Sequence, residues 1–595
     1  MCGIAGILGA AYSVDRMEQL SHRMQTALQH RGPDDRGLYH SPDGQTALVH
    51  TRLSILDLSA AGHQPMSTPD GRYWISFNGE IYNFRQLRSQ LEAIGKQFYS
   101  QTDTEVILQL YQHMGAACVE PLRGMFAFAI WDDLEKTCFL ARDPLGIKPL
   151  YYWQSGSMLV FASELRTVLA SGLPSRQLSM VGLHGYLTTG SVPEPHTLIE
   201  GIHSLEAGHW MEWQQGAIKQ SQYWHLQFGA DAIAPSEAIS NVRSALLDSV
   251  RHHLVSDVPV GVFLSGGIDS TAIVALARQL GGGELRTFAI AFEDAAWNEG
   301  AMAQKVAQQF ATEHTECVMT AALGRSLLPK FLHAIDQPSI DGFNTFCVSQ
   351  LAGMNGTNVV LSGLGGDELF GGYRSFQVIP QMLRFAQRLQ GLAGLPTLVG
   401  QGLEQWGQSA RMRRLGHFLQ QKPDPESAYR SFRGIFTPTE ATAIVRHYLP
   451  GETLPPQLTH HIAAQPSLAD TISLLEMSHY MRNQLLRDSD VMAMSWGLEL
   501  RVPFVDRALL DAIATIPSEL RLAPGKQLLT QAVPEIPEWV VNRPKQGFVF
   551  PFETWLQGEW QDYVQGVPQL PGISLQPWYR RWSLVVLQHW WRQIA

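Results

Sequence analysis

The sequence predicts two domains of different class: a β-rich layered sandwich, then an α/β domain on a parallel sheet that ends in a helical part. Three observations carry that prediction. The chain changes texture near residue 230, from short strands joined by turn clusters to helix-length periods. Two glycine clusters, at 265–267 and 363–366, each follow a short apolar run, as strand ends in a parallel sheet do. At 45% hydrophobic and 16% charged, the 595 residues can bury a sizeable core, which excludes a disordered chain.

The elements follow in order. Tyr73–Phe77 runs into Asn78-Gly79, a dipeptide that favours a tight hairpin turn. Phe126–Trp131 and Cys138–Ala141 flank a polar turn, as do Tyr151–Trp153 with Met158–Ala162, and His209–Trp213 with Ala217–Gln220. Repeated hairpins of this kind predict layered sheets. Residues 2–215 form this first domain, 216–235 a linker, and 236–595 the second domain. Ser236–Leu254 reads as an amphipathic helix capped by Ser236. A strand at Val258–Leu264, a helix at Ser270–Leu280, a strand at Arg286–Phe292 and a helix through Phe310 follow. Beyond about residue 380 the pattern is helical, with Pro-rich breaks and a Trp-rich tail that reads as a packed terminal helix.

Charge and composition exclude several classes. Lys+Arg 44 against Asp+Glu 54 leaves a net charge of −10, which argues against a nucleic-acid partner. A local pocket for one nucleotide stays open. No apolar run approaches the roughly 20 residues needed to span a bilayer, so no membrane partner is expected. The N-terminus lacks a basic region and meets Asp15 early, unlike a signal peptide. Cys2, Cys118, Cys138, Cys317 and Cys347 are scattered, which supports neither a disulfide scaffold nor a zinc site. A cytoplasmic enzyme is the expectation.

Cys2 follows the initiator Met and precedes Gly3. Removal of Met1 would give Cys2 a free α-amine, and one residue would then supply both nucleophile and base. From position alone, a small buried apolar residue is the stronger reading of this cysteine. Other segments reverse it. His30-Arg-Gly-Pro-Asp-Asp, Arg52-Leu-Ser-Ile-Leu-Asp57, Phe77-Asn-Gly-Glu-Ile-Tyr-Asn83, Thr102-Asp-Thr-Glu105 and Arg142-Asp-Pro-Leu-Gly-Ile-Lys-Pro-Leu150 occur in that order. With Cys2 they resemble the N-terminal-nucleophile glutaminase domain of class II glutamine amidotransferases, over about residues 2–215. The resemblance implies L-glutamine as amido donor and Cys2 as nucleophile. Asn78 and Gly79 would be oxyanion donors, with Arg52, Glu80 and Asp103 around the bound glutamine.

In the second half, Ser265-Gly-Gly-Ile-Asp-Ser270 runs from a strand into a helix, where backbone N–H groups favour an anion. It is not a Walker A loop; it matches the pyrophosphate loop of ATP pyrophosphatases. Leu361-Ser-Gly-Leu-Gly-Gly-Asp-Glu-Leu-Phe-Gly-Gly-Tyr373 is a second strand end of this type. Asp269 and Asp367 suit Mg²⁺ bridging phosphates; for either alone, helix capping is the plain alternative. With Thr287–Phe292, Asp336–Ser339, Leu486–Met494, Glu499–Asp506 and Arg543–Phe548, these segments resemble the synthetase domain of the asparagine synthase family over about residues 235–555.

That resemblance implies a layered N-terminal-nucleophile domain joined to an ATP-pyrophosphatase-type α/β domain. It also implies amidation of a carboxylate, with L-aspartate as the expected acceptor and a homodimer as the family state. Leu264, Ser265, Gly266, Gly267, Asp269, Ser270, Ile290, Ser362 and Gly363 would bind ATP. Asp269 and Asp367 would hold Mg²⁺, and Lys545 would steady the charge that develops. One departure stands out. Where the family places a Glu after Ser-Gly in the second cluster, this chain has Leu364. Either Glu368 or Asp341 substitutes, or the acceptor is another carboxylate in saccharide or secondary-metabolite biosynthesis.

Overall fold

The computed structural model describes residues 2–281, 283–293, 299–390, 394–451, 463–543 and 550–595. Its first part is built from β1 (Cys2–Leu8), β2 (Asp35–His40), β3 (Ala47–Arg52), β4 (Met66–Ser67), β5 (Tyr73–Ile81), β6 (Gly124–Asp132), β7 (Thr137–Arg142), β8 (Tyr151–Ser155), β9 (Met158–Ala162), β10 (Ile202–Ser204), β11 (His209–Gln214) and β12 (Ala217–Gln222). They form two antiparallel sheets, in the orders β10-β8-β9-β1-β3-β2 and β12-β11-β7-β6-β5-β4. Alternate side chains of a strand face opposite sides. Ile4 and Leu8 of β1 therefore meet Leu140 and Trp213 between the sheets, while Ala5 and Ile7 meet the helix Val14–Leu28 outside. On the other outer face Phe77, Phe126 and Phe128 pack on the helix Asp103–Met114. The result is the layered α+β domain the hairpins predict.

Two local readings change. Asn78-Gly79 makes no turn: β5 runs through both residues, which pair with Ala127 and Phe126 of β6. Gly79 has φ 151°, and a Cβ there would lie 2.1 Å from the Met125 carbonyl oxygen, so this glycine serves close strand approach. The span 216–235 begins as β12, an edge strand paired with β11 along its length.

The second part carries β13 (Val260–Phe263), β14 (Arg286–Phe292), β15 (Glu313–Met319), β16 (Val359–Leu361) and β17 (Glu499–Arg501). All pairs are parallel, in the order β15-β14-β13-β16-β17. The order reverses at β13, so the carboxyl ends of β13 and β16 open onto one crevice, the usual ligand position in such sheets. The helix before β13 spans Pro235–His253 with Ala234 as N-cap and Pro235 in its first turn; Ser236 is not the cap. The helical C-terminal part includes a π-helix at Glu476–Leu486 and the closing helix Trp578–Ile594, whose Trp582 and Trp590 are buried.

The two parts meet through ion pairs, fully buried at Lys148 and partly exposed at Asp248. Arg123 bonds Asp506 and Asp248, and Lys148 reaches Asp490 at 3.2 Å.

Candidate active site

β1 and β3 are antiparallel neighbours that set Cys2 opposite Arg52. The Cys2 backbone N–H donates to Asn78 Oδ1 at 3.0 Å, across from one sheet to the other. That contact turns the Asn78 amide so that its buried Nδ2 has no hydrogen-bond partner. A buried donor without a partner is costly, and its natural explanation is a ligand oxygen. The Cys2 carbonyl accepts from Arg31 Nε at 3.1 Å, so the strand end is held from both sides. Burial pushes the Cys2 thiol above its ordinary value, while Arg52 and a backbone N–H at Leu53 pull it down.

Around Cys2 the structure brings together all the glutamine-site residues of the sequence reading. Arg52 is oriented by carbonyls: Nη1 donates to Ser59, and Nη2 to Leu56 and Asp57. Asp103 opens the helix Asp103–Met114 and accepts from the Ile81 N–H at 2.8 Å. Burial pushes the carboxyls of Asp103 and Glu80 up, and the nearby Glu499 adds to both. Arg501 of β17, from the second part, stands 3.6 Å from Glu80 and forms an ion pair with Glu499 at 2.5 Å. The parallel sheet thus supplies an Arg501–Glu499 ion pair beside the first site.

The second site lies at the crevice. Leu264 continues β13, bonding the Phe288 carbonyl at 2.9 Å, and Gly266 turns the chain at φ 72°. Ser265 and Ser270 close the loop through their hydroxyls at 3.1 Å, and the helix Ile268–Leu280 starts there with its N–H groups toward the crevice. Ser362 N–H bonds the Arg501 carbonyl of β17 at 2.8 Å, and a Cβ on Gly363 would lie 2.9 Å from Ser270 N, so the second glycine turn sits against the first. A cavity of about 1880 Å³ is lined by Leu264 through Ser270, Ile290, Ser362 and Gly363, as the sequence reading groups them, and also by Leu364.

Neither Asp269 nor Asp367 is the N-cap of its helix; Gly267 and Gly365 are. Both carboxylates instead converge on Lys526, at 2.5 Å each, a residue the sequence reading missed. Lys526 sits at φ 56° in the turn Pro524–Lys526, whose sequence carries no mark of this role. Side-chain room confirms the crowding: a Cβ on Gly366 would lie 2.5 Å from Asp269 Oδ1, and one on Gly372 1.8 Å from Asp367 Oδ1. Two hard carboxylates converging on one cation beside an anion-binding turn suit a Mg²⁺ shared with phosphates. Among the described residues no larger cluster of metal-binding side chains occurs. Lys545 lies outside the described residues.

Of the two substitutes for Leu364, Glu368 is buried, accepts from the Tyr373 hydroxyl at 2.9 Å, and has its pKa pushed up to about 8 by burial and Asp367. Asp341 is tied to the Gly342 N–H at 2.8 Å. Arg31 is the other residue the sequence left unassigned. It is fully buried, bonds Glu164 at 3.0 Å and Asp490 at 2.8 Å, and so links the Cys2 strand to the second part.

An amino-terminal cysteine beside an orphaned amide donor, coupled to a nucleotide-type crevice, defines a two-site glutamine-dependent ligase. Comparison with known proteins agrees: a glutamine amidotransferase domain matches residues 1–224, and the asparagine synthase model matches residues 241–571. The chain belongs to the asparagine synthase family. It is similar to asparagine synthetase (glutamine-hydrolyzing) 1 of Bacillus subtilis, 34% identical over 581 residues, covering 96% of this chain and 90% of that protein. Asparagine synthetase (glutamine-hydrolyzing) 3 of the same organism is 29% identical over 92% of this chain and 87% of its own length. Amidase chry2 of Gibberella zeae is 26% identical over 91% and 87%.

Proposed function

We propose that the chain hydrolyses L-glutamine at Cys2 and uses the ammonia to amidate L-aspartate, with ATP converted to AMP and PPi. The observation that carries the first half is the Cys2–Asn78 contact, which leaves Asn78 Nδ2 aimed at no protein partner. After Met1 is removed, the Cys2 nitrogen is an α-amine held by Asn78 Oδ1. It takes the thiol proton as Sγ attacks the glutamine side-chain carbonyl. Asn78 Nδ2 and the Gly79 N–H meet the oxyanion, Arg52 the α-carboxylate and Asp103 the α-ammonium. The amine returns its proton to the leaving ammonia, and water cleaves the thioester to glutamate.

In the second site the 265–267 backbone and the helix N-terminus hold phosphates, with Leu264 and Ile290 beside the adenine. Mg²⁺, when bound, supplies charge that offsets the phosphates; Asp269 and Asp367 would hold it, with Lys526 as neighbouring cation. The acceptor carboxylate attacks the α-phosphorus of ATP and PPi leaves, giving an acyl-adenylate. Ammonia then attacks its carboxyl carbon and gives up a proton, and AMP leaves with the bonding electron pair. The first domain runs through β12 to Gln222 and the second starts at the helix Pro235–His253, and Lys545 steadies the charge that develops.

One observation favours a second acceptor. Leu364 lines the cavity where an acidic side chain would orient an ammonium, and the same cavity continues past it to Arg433 and His184. That shape suits a larger carboxylate, such as one on a saccharide. The experiment is PPi and glutamate release from glutamine and ATP, with and without L-aspartate. Aspartate-dependent PPi with stoichiometric asparagine supports the first acceptor. Glutamate without aspartate-dependent PPi rejects it and leaves the larger carboxylate.

A further inference from the structure

A helical arm whose inner side borders the large cavity carries, on its outer side, charge and exposed apolar surface that the chemistry does not use. Between Arg374 and Lys422 the chain carries seven Lys and Arg against one acid, Glu404, in a protein of net charge −10. Glu404 is occupied by His417, Gln420 and Thr439. Arg384, Arg388 and Arg411 are exposed and pair with no acid among the described residues.

The same arm holds five of the fifteen large apolar side chains exposed among the described residues, all between positions 385 and 412. Trp406 is 75% exposed, Leu398 68%, Phe385 47% and Met412 41%. In the helix Leu395–Trp406, Val399 and Leu403 face the core, while the exposed positions 395, 397, 398, 401, 405 and 406 carry no charge. The Trp406 ring lies 3.7 Å from where a Gly402 Cβ would be, so it folds back along the helix toward Leu398. In the helix Ser375–Gln390, Phe385 stands among the exposed Arg384 and Arg388.

We propose that this arm docks on an anionic lipid bilayer, with Trp406 and Leu398 in the interfacial layer and the three arginines against the headgroups. Exposed Trp and Leu flanked by unpaired Arg are the pattern of a helix lying in the interface. A two-fold contact between copies of the chain would set this basic face against itself, where like charges repel. No helix among the described residues is long and apolar enough to cross a membrane, so the attachment is to one surface. The helix Ala410–Leu419 turns Arg411 and Met412 outward and lines the large cavity with Arg414 and Phe418. Docking therefore brings a wall of that cavity to the bilayer.

The test is co-sedimentation of the full chain with phosphatidylcholine vesicles, with and without about 30% phosphatidylglycerol, at low salt. The expected result is binding at least about tenfold tighter to the anionic vesicles. The triple variant R384Q/R388Q/R411Q loses about a hundredfold of that binding. The double variant L398S/W406S loses about tenfold or more. All these positions are exposed, and circular dichroism checks that each variant folds. Absence of binding to anionic vesicles overturns the proposal, as does binding that neither variant weakens. A change of sedimentation coefficient in L398S/W406S with vesicle binding intact also overturns it, and marks the patch as a protein contact.

Discussion

At the scale of single residues, the Asn78 amide oxygen holds the Cys2 nitrogen while its buried nitrogen has no protein partner, and the proposed reaction would set the oxyanion there. Asn78→Ala is expected to lower glutamate release by about 10²–10³-fold with little change in folding. A glutaminase assay beside thermal denaturation checks this. Lys526 is the opposite case, invisible in sequence. It lies 257 residues from Asp269, and only the fold puts its ammonium between two carboxylates. Replacing it by Gln leaves those carboxylates facing each other without their cation. Lys526→Gln is expected to abolish PPi formation while glutamate release continues, read by the two assays on one preparation. Cys2 and Asn78 were marked in the sequence by an ordered set of short motifs, each written in adjacent residues. Lys526 and Arg31 were not, because a buried charge is defined by partners far away in the chain.

At the scale of elements, turn chemistry and strand chemistry compete, and Gly79 shows which wins. Asn-Gly favours a hairpin turn, yet packing of β5 on β6 keeps the strand running and uses the glycine for close approach. Gly79→Ala is expected to cost at least about 2 kcal/mol, because φ is positive and the Cβ meets backbone; chemical denaturation measures it. The helix Pro235–His253 ends in a pH-sensitive contact. The His253 Nδ1–H donates to the Ser249 carbonyl at 2.8 Å and the ring packs 4.2 Å from Tyr82. Burial pushes its pKa from 6.5 down to about 4, against an opposing pull from Asp506. The folded state therefore resists the proton. This contribution is full above about pH 6.5 and is lost as pH falls toward 4, about 2 kcal/mol by pH 5. Melting temperature is expected to drop between pH 7 and pH 5, and His253→Gln to flatten that drop. Among the strands, β14 was legible at Arg286–Phe292 because it is a buried apolar run, whereas the edge strand β15 and the three-residue β17 carry no such pattern.

At the scale of the molecule, two chemistries share one chain and are separable. Cys2→Ala is expected to abolish glutamine-dependent amidation and retain amidation from added ammonia; Asp269→Asn does the reverse to glutamate and PPi release. Asp490 joins the halves, since the buried Arg31 and Lys148 both end on it. Asp490→Asn leaves the buried Lys148 without its carboxylate and Arg31 with Glu164 alone, and is expected to cost about 3–5 kcal/mol, measured by denaturant unfolding. The sequence by itself determined the fold class of the two parts, the two glycine turns and the family, because these are written in local periodicity and short motifs; it also singled out Cys2 as the proposed nucleophile. Tertiary structure decided which charges meet: Lys526 with Asp269 and Asp367, Arg501 with Glu80, Arg31 with Asp490. Burying an ion requires a partner supplied from anywhere in the chain, and only the packed fold selects that partner.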